Sequence, residues 1–484
     1  MIEPAILDYD FDEEADGFGA PEGDARPTRT ADQVAMAGIA LVGLGFLAAQ
    51  TAGHAWTGTW LGMFLSWGLT SLGAAGFFWR QYAGTTPGIK HDGIWFRSSL
   101  ARGAVGWIFG VLMTALYVLI YWYPELLGER SEGGPVGLVR TVEPLGSTLT
   151  GWPASRWFLY GVVYTLAILV FGVRMFMKYR HSRYHQLRTA SVMGAQFLLA
   201  WLLPNLLVLF RQPYLEFNGV WPLKYDYLMP GKVSEFSGAG VLGLALLGFA
   251  VALVLATPVL TYFFGKRWYC SWVCGCGGLA ETLGDPWRQL SDKSTRAWKV
   301  ERWMIHSVLV AVVVVTVSLW IDDRTGNAFF GRWAGPMKQW YGFYIGAVFS
   351  GVVGVGFYPL LGSRVWCRFG CPQAAILGLW QRLFSRFRIT VNGDQCMSCG
   401  NCSTYCEMGI DVRSYAQKGQ DIVRASCVGC GVCASACPRG ALKLENGASH
   451  SDRYPGAGEP VDRLKRSLGL IEDEPLVDRT LRRD

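Results

Sequence analysis

The chain reads Cys396-Met-Ser-Cys399-Gly-Asn-Cys402-Ser-Thr-Tyr-Cys406 and then Cys427-Val-Gly-Cys430-Gly-Val-Cys433-Ala-Ser-Ala-Cys437-Pro438. Both stretches are C-x2-C-x2-C-x3-C, the ligand spacing of proteins that carry two [4Fe–4S] clusters. Two-residue gaps let three thiolates wrap one cluster from a single loop. The fourth cysteine of each run, thrown onto a helix, reaches the other cluster. This reading assigns Cys396, Cys399, Cys402 and Cys437 to one cluster, and Cys427, Cys430, Cys433 and Cys406 to the second. A zinc site or a disulfide framework has no need of two tandem runs at this spacing. Glu407 stands where the first run usually has proline, which affects the turn and not the ligand set.

The rest of the chain is of a different character. Of 484 residues, 51% are hydrophobic and only 17% charged, with 21 tryptophans. That composition, with its positive mean hydropathy, implies an integral membrane protein. The formal charge of +7 marks loops on one membrane side and gives no reason to expect nucleic-acid binding. All 13 cysteines follow residue 269, so their side is expected to face a reducing compartment, the cytoplasm.

Eight apolar runs of roughly 20 residues, the length that crosses a bilayer, lie near 33–52, 57–79, 103–123, 156–178, 190–210, 238–264, 303–321 and 341–361. Pro204 and Pro258 inside two of them are expected to kink. Lys and Arg crowd the loops 80–102, 179–189, 265–302 and 362–388 and thin out in the loops between, which puts both termini and every cysteine inside. The expected fold is mainly α: a polytopic membrane bundle of about eight spans with a C-terminal α+β two-cluster ferredoxin domain. The divisions read 1–32, a disordered acidic tail and not a secretory leader; 33–388, the transmembrane domain; 389–446, the ferredoxin domain; and 447–484, a polar tail.

Five cysteines remain. Cys270 and Cys274 follow the sixth run (Arg267-Trp-Tyr-Cys270-Ser-Trp-Val-Cys274-Gly-Cys276), and Cys367 and Cys371 follow the eighth (Arg364-Val-Trp-Cys367-Arg-Phe-Gly-Cys371-Pro372). Each pair is C-x3-C, two thiols about one helical turn apart on one side. Brought together by packed spans, the four would form one further centre, with Cys276 as a substitute ligand. A third cluster, copper and a redox dithiol all suit such a thiol set. No Asp or Glu falls within an apolar run, which argues against an ion carrier. His181 and His185 read as part of a solvated basic loop that could meet a quinone head group, and His306 as an interfacial histidine. No catalytic residue is identifiable.

The combination of spans, paired C-x3-C motifs and a following two-cluster ferredoxin resembles the membrane polyferredoxins of the NapH, NosR and CcoG group, over about residues 240–445. The resemblance implies an inner-membrane protein that passes electrons between the quinone pool, or another membrane redox subunit, and a partner enzyme. In its CcoG branch it implies copper reduction during oxidase assembly. By similarity Cys270, Cys274, Cys367 and Cys371 match the group's paired motif. That motif is usually C-x3-C-P, and here Pro372 keeps the pattern while Gly275 departs from it.

Overall fold

The computed structural model describes residues 31–54, 56–83, 104–130, 133–219, 229–326 and 328–446. The tails expected up to residue 30 and from 447, and the loop from 84 to 103, lie outside the described residues. The membrane part is helical: α1 (Ala31–Thr51), α2 (Trp60–Ala83), α3 (Ala104–Trp122), α4 (Arg156–Lys178), α5 (Arg183–Leu209), α6 (Gly240–Phe264) and α7 (Thr295–Arg324). α8 (Gly342–Gly356) and α9 (Pro372–Phe384) follow. Strands β1 (Arg388–Val391) and β2 (Leu442–Glu445) pair antiparallel, Arg388 opposite Glu445.

Six of these helices, α1, α2 and α4 to α7, are long and apolar enough to cross a membrane. The other two runs of the sequence are shorter as built. In α3 the apolar stretch is Gly106–Trp122. α8 is glycine-rich, is wound as a π-helix over 15 residues and stops at Phe357. Pro258 sits inside α6. Pro204 follows a π-wound stretch, Ala195–Leu202, and such wider winding leaves room for a ring that cannot donate a backbone bond.

Starts of these helices follow local chemistry. Ser155 accepts from the Phe158 N–H at 3.2 Å at the start of α4, and Ser294 from Ala297 N–H at 3.1 Å at the start of α7, as good N-caps do. α1 packs on α2, α2 on α4, and α3 on α8; α9 lies against both α6 and α7. α9 thereby carries the chain from the bundle into β1. The ferredoxin part closes through β1 and β2 and has no separate core. Phe387, Ile389, Val412, Val428 and Leu442 share one buried cluster with Tyr269, Ala374 and Leu377 of the membrane part.

Several of the cations counted for topology in the sequence are not solvated. Arg174, Lys178, Arg188, Lys266, Arg288 and Arg364 are all buried. Asp285 takes Arg174 Nη1 at 2.5 Å and Lys178 Nζ at 2.8 Å on one oxygen, and Arg288 Nε at 3.1 Å on the other. Burial would raise the Asp285 carboxyl, but Lys178, Arg174 and Arg288 outweigh it and hold the group well below the usual carboxylate range. Asp285→Ala would leave these cations without their shared anion in a dry site. It is expected to cost about 3–5 kcal/mol, the scale for breaking a buried ion pair. Thermal unfolding of the detergent-solubilised protein measures it; a midpoint equal to wild type would contradict the network's role.

Candidate iron–sulfur sites

The two cysteine runs are built as a repeat with an offset of 31 residues. Ser398 (φ 56°) matches Gly429 (φ 63°), Gly400 matches Gly431, and Gly409 matches Gly440, all left-handed. Gly400 and Gly431 precede the helical turns Asn401–Thr404 and Val432–Ser435, which carry Cys402 and Cys433. Backbone N–H groups then reach the fourth cysteines: Ile410 N to Cys406 Sγ at 3.4 Å, and Ala441 N to Cys437 Sγ at 3.3 Å. Hydrogen bonds of this kind stabilise thiolate sulfur.

Each set of four cysteines encloses a cavity. One is lined by Cys396, Cys399, Cys402 and Cys437. The other is lined by Cys406, Cys427, Cys430 and Cys433. So the fourth cysteine of each run lies with the first three of the other run. These linings are strongly apolar apart from the sulfurs, and burial pushes the thiols of Cys402 and Cys427 up to about 11. Bare thiols in such a place stay protonated, whereas bound metal deprotonates a coordinating thiol outright. The donor sets therefore fit iron–sulfur clusters.

The two sites differ in what surrounds them. Around the second run, the membrane part ties down the backbone carbonyls. Lys266 Nζ donates to Ala425 O at 2.6 Å, Gln381 Nε2 to Cys427 O at 2.9 Å, Ser271 Oγ to Val428 O at 2.8 Å and the Tyr184 hydroxyl to Gly429 O at 2.9 Å. Arg188 Nη1 donates to Cys430 O. His185, expected in a solvated loop, is fully buried, and its Nε2 lies 2.6 Å from Ser435 Oγ. It belongs to this interface because α5 starts there, a packing that four-residue spacing does not reveal. His306 is half-buried on α7. The first run faces outward: Met397 and Cys399 are exposed, as are Arg413 and Arg439 on the rim of its cavity.

The remaining five cysteines gather where α6 and α8 end. The second thiol of each pair sits at a helix N-terminus. Cys274 precedes the short helix Gly275–Glu281, and Cys371 precedes α9, its Sγ accepting from Ala374 N–H at 3.4 Å. Helix N-termini favour thiolate. Pro372 occupies the first helical position, where proline is well tolerated. At Gly275, where the pattern departs from C-x3-C-P, a Cβ would lie 2.8 Å from Gln196 Oε1. Burial pushes the Cys270 thiol up to about 12. A hydrogen bond from the Cys276 thiol, outweighing burial, brings Cys274 down to about 6. Among the described residues, the one group of three Cys, His, Asp or Glu with ligand atoms within 4.8 Å of one another is Glu281, Glu407 and Cys430. Neither these five thiols nor the two ferredoxin sets are drawn together as tightly as a single tetrahedral ion requires, with its metal–sulfur bonds of about 2.3 Å.

Residues 246–294 and 344–390 match the family described as 4Fe-4S binding domain, and residues 395–442 match the 4Fe-4S dicluster domain. The chain is 25% identical over 214 residues to "Putative electron transport protein YccM" of Escherichia coli (strain K12), covering 42% of this chain and 56% of that one. It is 29% identical over 208 residues to "Methylamine utilization ferredoxin-type protein MauN" of Paracoccus denitrificans (strain Pd 1222), covering 38% and 69%. No solved structure matches the chain.

Gly277 lets the helix Gly275–Glu281 approach the first pair: a Cβ there would run into Cys270 O and come within 3.0 Å of Arg364 Nη1. Gly277→Ala is expected to disturb the C-x3-C site and spare the dicluster part. Iron content should fall while the two-cluster EPR signal stays; unchanged iron would contradict the close approach. In combining 4Fe-4S binding and 4Fe-4S dicluster domains with a bundle of apolar helices, the chain is similar to the membrane polyferredoxin group.

Proposed function

We propose that the protein is a membrane-bound iron–sulfur electron-transport protein with three cluster sites in a row, from the membrane bundle to the protein surface. The observation that carries this order is the contrast between the two ferredoxin loops. The Cys427–Cys437 run is bound into the membrane part through four of its carbonyls and that of Ala425 just before it, whereas Cys399 of the other run is exposed.

Cys406, Cys427, Cys430 and Cys433 hold the inner ferredoxin cluster. Cys396, Cys399, Cys402 and Cys437 hold the outer one. Cys270, Cys274, Cys367 and Cys371 hold a third, supported by the 4Fe-4S binding match that spans both pairs. Cys276, just beyond Cys274 in the chain, is the substitute ligand for this site. When bound, such clusters take up and release electrons at potentials set by their surroundings. The chain holds them, keeps water from two of the three sites and leaves the third open to a partner. The division into 33–388 and 389–446 follows the same arrangement, with the ferredoxin docked on the bundle. The Lys and Arg bias of the loops and the thiol chemistry support an inner-membrane location with all cysteines cytoplasmic. At its bundle end the row meets the quinone pool or another membrane redox subunit.

The direct test is iron and sulfide analysis of anaerobically purified protein. About twelve irons per chain are expected, four for each site. Cys371→Ser should remove about four of them and leave the two interacting ferredoxin signals in EPR. A wild type with only two clusters would refute the third site.

The outer site has Met397 as its exposed apolar contact and Arg413 and Arg439 as its charged rim. That surface suits an acidic redox protein. Reversing both charges, with Arg413→Glu and Arg439→Glu together, should slow electron exchange with an acidic soluble ferredoxin by about tenfold at low ionic strength and less in high salt. Stopped-flow absorbance reads the rate; a rate independent of both charge and salt would move the port elsewhere.

A further inference from the structure

The two C-x3-C pairs share a feature in sequence: an arginine three residues before the first cysteine, Arg267 before Cys270 and Arg364 before Cys367. The structure uses them differently. Arg267 lies over the rings of Phe387, at 4.8 Å, and Tyr184, at 5.9 Å. Arg364 folds back toward the thiols. Its Nη1 donates to Cys270 O at 3.2 Å and lies 3.7 Å from Cys367 Sγ. Its Nη2 is 2.9 Å from Glu281 Oε1 and 3.1 Å from Glu407 Oε1. Those two acids in turn have oxygens within 4.8 Å of Cys430 Sγ. One buried guanidinium thus runs from a sulfur of the C-x3-C site to the acid pair beside the inner ferredoxin site.

The surrounding charge is unbalanced. Arg188 Nη2 and Arg288 Nη2 reach Glu281 Oε2 at 2.7 and 3.1 Å, and Arg288 Nη1 lies 3.4 Å from Glu407 Oε2. Three guanidinium groups therefore face two carboxyl groups, and all five side chains are buried. Cluster potentials respond to net charge and to hydrogen bonds on the sulfurs. A fixed cation that also donates to a sulfur favours the reduced, more negative form, and a carboxylate opposes it.

We infer that Arg364 is a positioning residue of the electron path: it raises the reduction potential of the C-x3-C centre through its N–H on Cys367, and it fixes that centre against the inner ferredoxin site through Glu281 and Glu407. This rests on the reading of the C-x3-C set as an iron–sulfur centre. Arg364 touches no substrate, and its effect is on a potential rather than on a reacting bond.

The test is an EPR-monitored redox titration of the full-length protein, with iron and sulfide counted in each sample and the C-x3-C signal assigned by its loss in Cys371→Ser. Arg364→Gln is expected to lower the potential of the C-x3-C signal and leave the outer ferredoxin signal where it was. Arg364→Lys keeps the charge and loses the hydrogen bond, so a smaller lowering is expected. Glu281→Gln removes a negative charge near Cys430, and the inner signal should move the opposite way, upward. A purely structural role would not give shifts of opposite sign. Full iron content with unchanged potentials in Arg364→Gln would overturn the inference, as would equal shifts of all three signals. Where Arg364→Gln alone loses iron, Arg364→Lys decides: a lowered potential supports the role and an unchanged one removes it. Iron loss in both Arg364→Gln and Glu281→Gln would make the charges a folding element and also overturn it. A wild type lacking the third signal would refute the three-site reading before any variant is compared.

Discussion

Between α4, α5, the segment 281–288, Arg364 and the first cysteine run, five cations and three acids meet out of reach of water. Arg174, Lys178, Arg188, Arg288 and Arg364 face Glu281, Asp285 and Glu407. Taking such groups out of water costs several kcal/mol for each ion, which only close, multiple pairing offsets. No single element supplies the set. α4 gives two cations, α5 one, the loop after α6 two acids and an arginine, the segment after α8 a further arginine, and the ferredoxin one acid. The site is complete only when the bundle and the ferredoxin are docked, so the network fixes their relative position. Its excess of cations also answers the thiolate-rich sites on either side, where bound clusters carry net negative charge.

Docking breaks a symmetry that the sequence nearly preserves. The two cysteine runs agree at three left-handed backbone positions and in their N–H to sulfur bonds, yet one faces protein and the other solvent. Gly429 shows the cause locally. A Cβ there would meet Arg267 and Phe387, within 2.9 Å of both. Its counterpart Ser398 keeps a side chain in the same left-handed conformation at an exposed position, where its Oγ accepts from Gln417 Nε2 at 2.9 Å. The same ligand spacing thus serves a buried and an open site, and what differs is carried by residues between the cysteines.

Ligand spacing was legible because metal ligation is local: three thiols from one loop need fixed short gaps, and both gaps and turns are visible in the chain. The apolar runs were legible for a similar reason, since each helix satisfies its own backbone bonds and shows it in composition. The loops were not. Arg188, Arg288 and Arg364 count as positive charge for topology whether they lie in water or in a core, and composition cannot separate the two. His185 shows the same limit, its burial depending on Ser435, 250 residues away. In α8, many glycines shortened and rewound an apolar run that hydropathy reads as a full span. Cys276 left a trace, being odd in number, but spacing alone does not separate its role from that of the four paired thiols.

Glu407 is the clearest case of a departure from pattern with a physical cause. At the matching position of the second run Pro438 is exposed, and a proline there stiffens a surface turn. In the first run that position points into the network. Glu407 is fully buried against Arg288 and Arg364, and its backbone oxygen accepts from Ser291 Oγ at 2.6 Å. Burial, together with Glu281 and against the pull of both arginines, holds its carboxyl above the usual carboxylate range, while Glu281 stays well below it because Arg188, Arg288 and Arg364 outweigh burial there. The two acids are thereby unequal, one firmly ionised and one more readily neutral, so the network can hold three arginines with less repulsion between carboxylates. Proline in place of Glu407 would keep the turn and leave two buried guanidinium groups short of a partner. The substitution is therefore the point at which a soluble-type cluster loop has been fitted to a membrane scaffold.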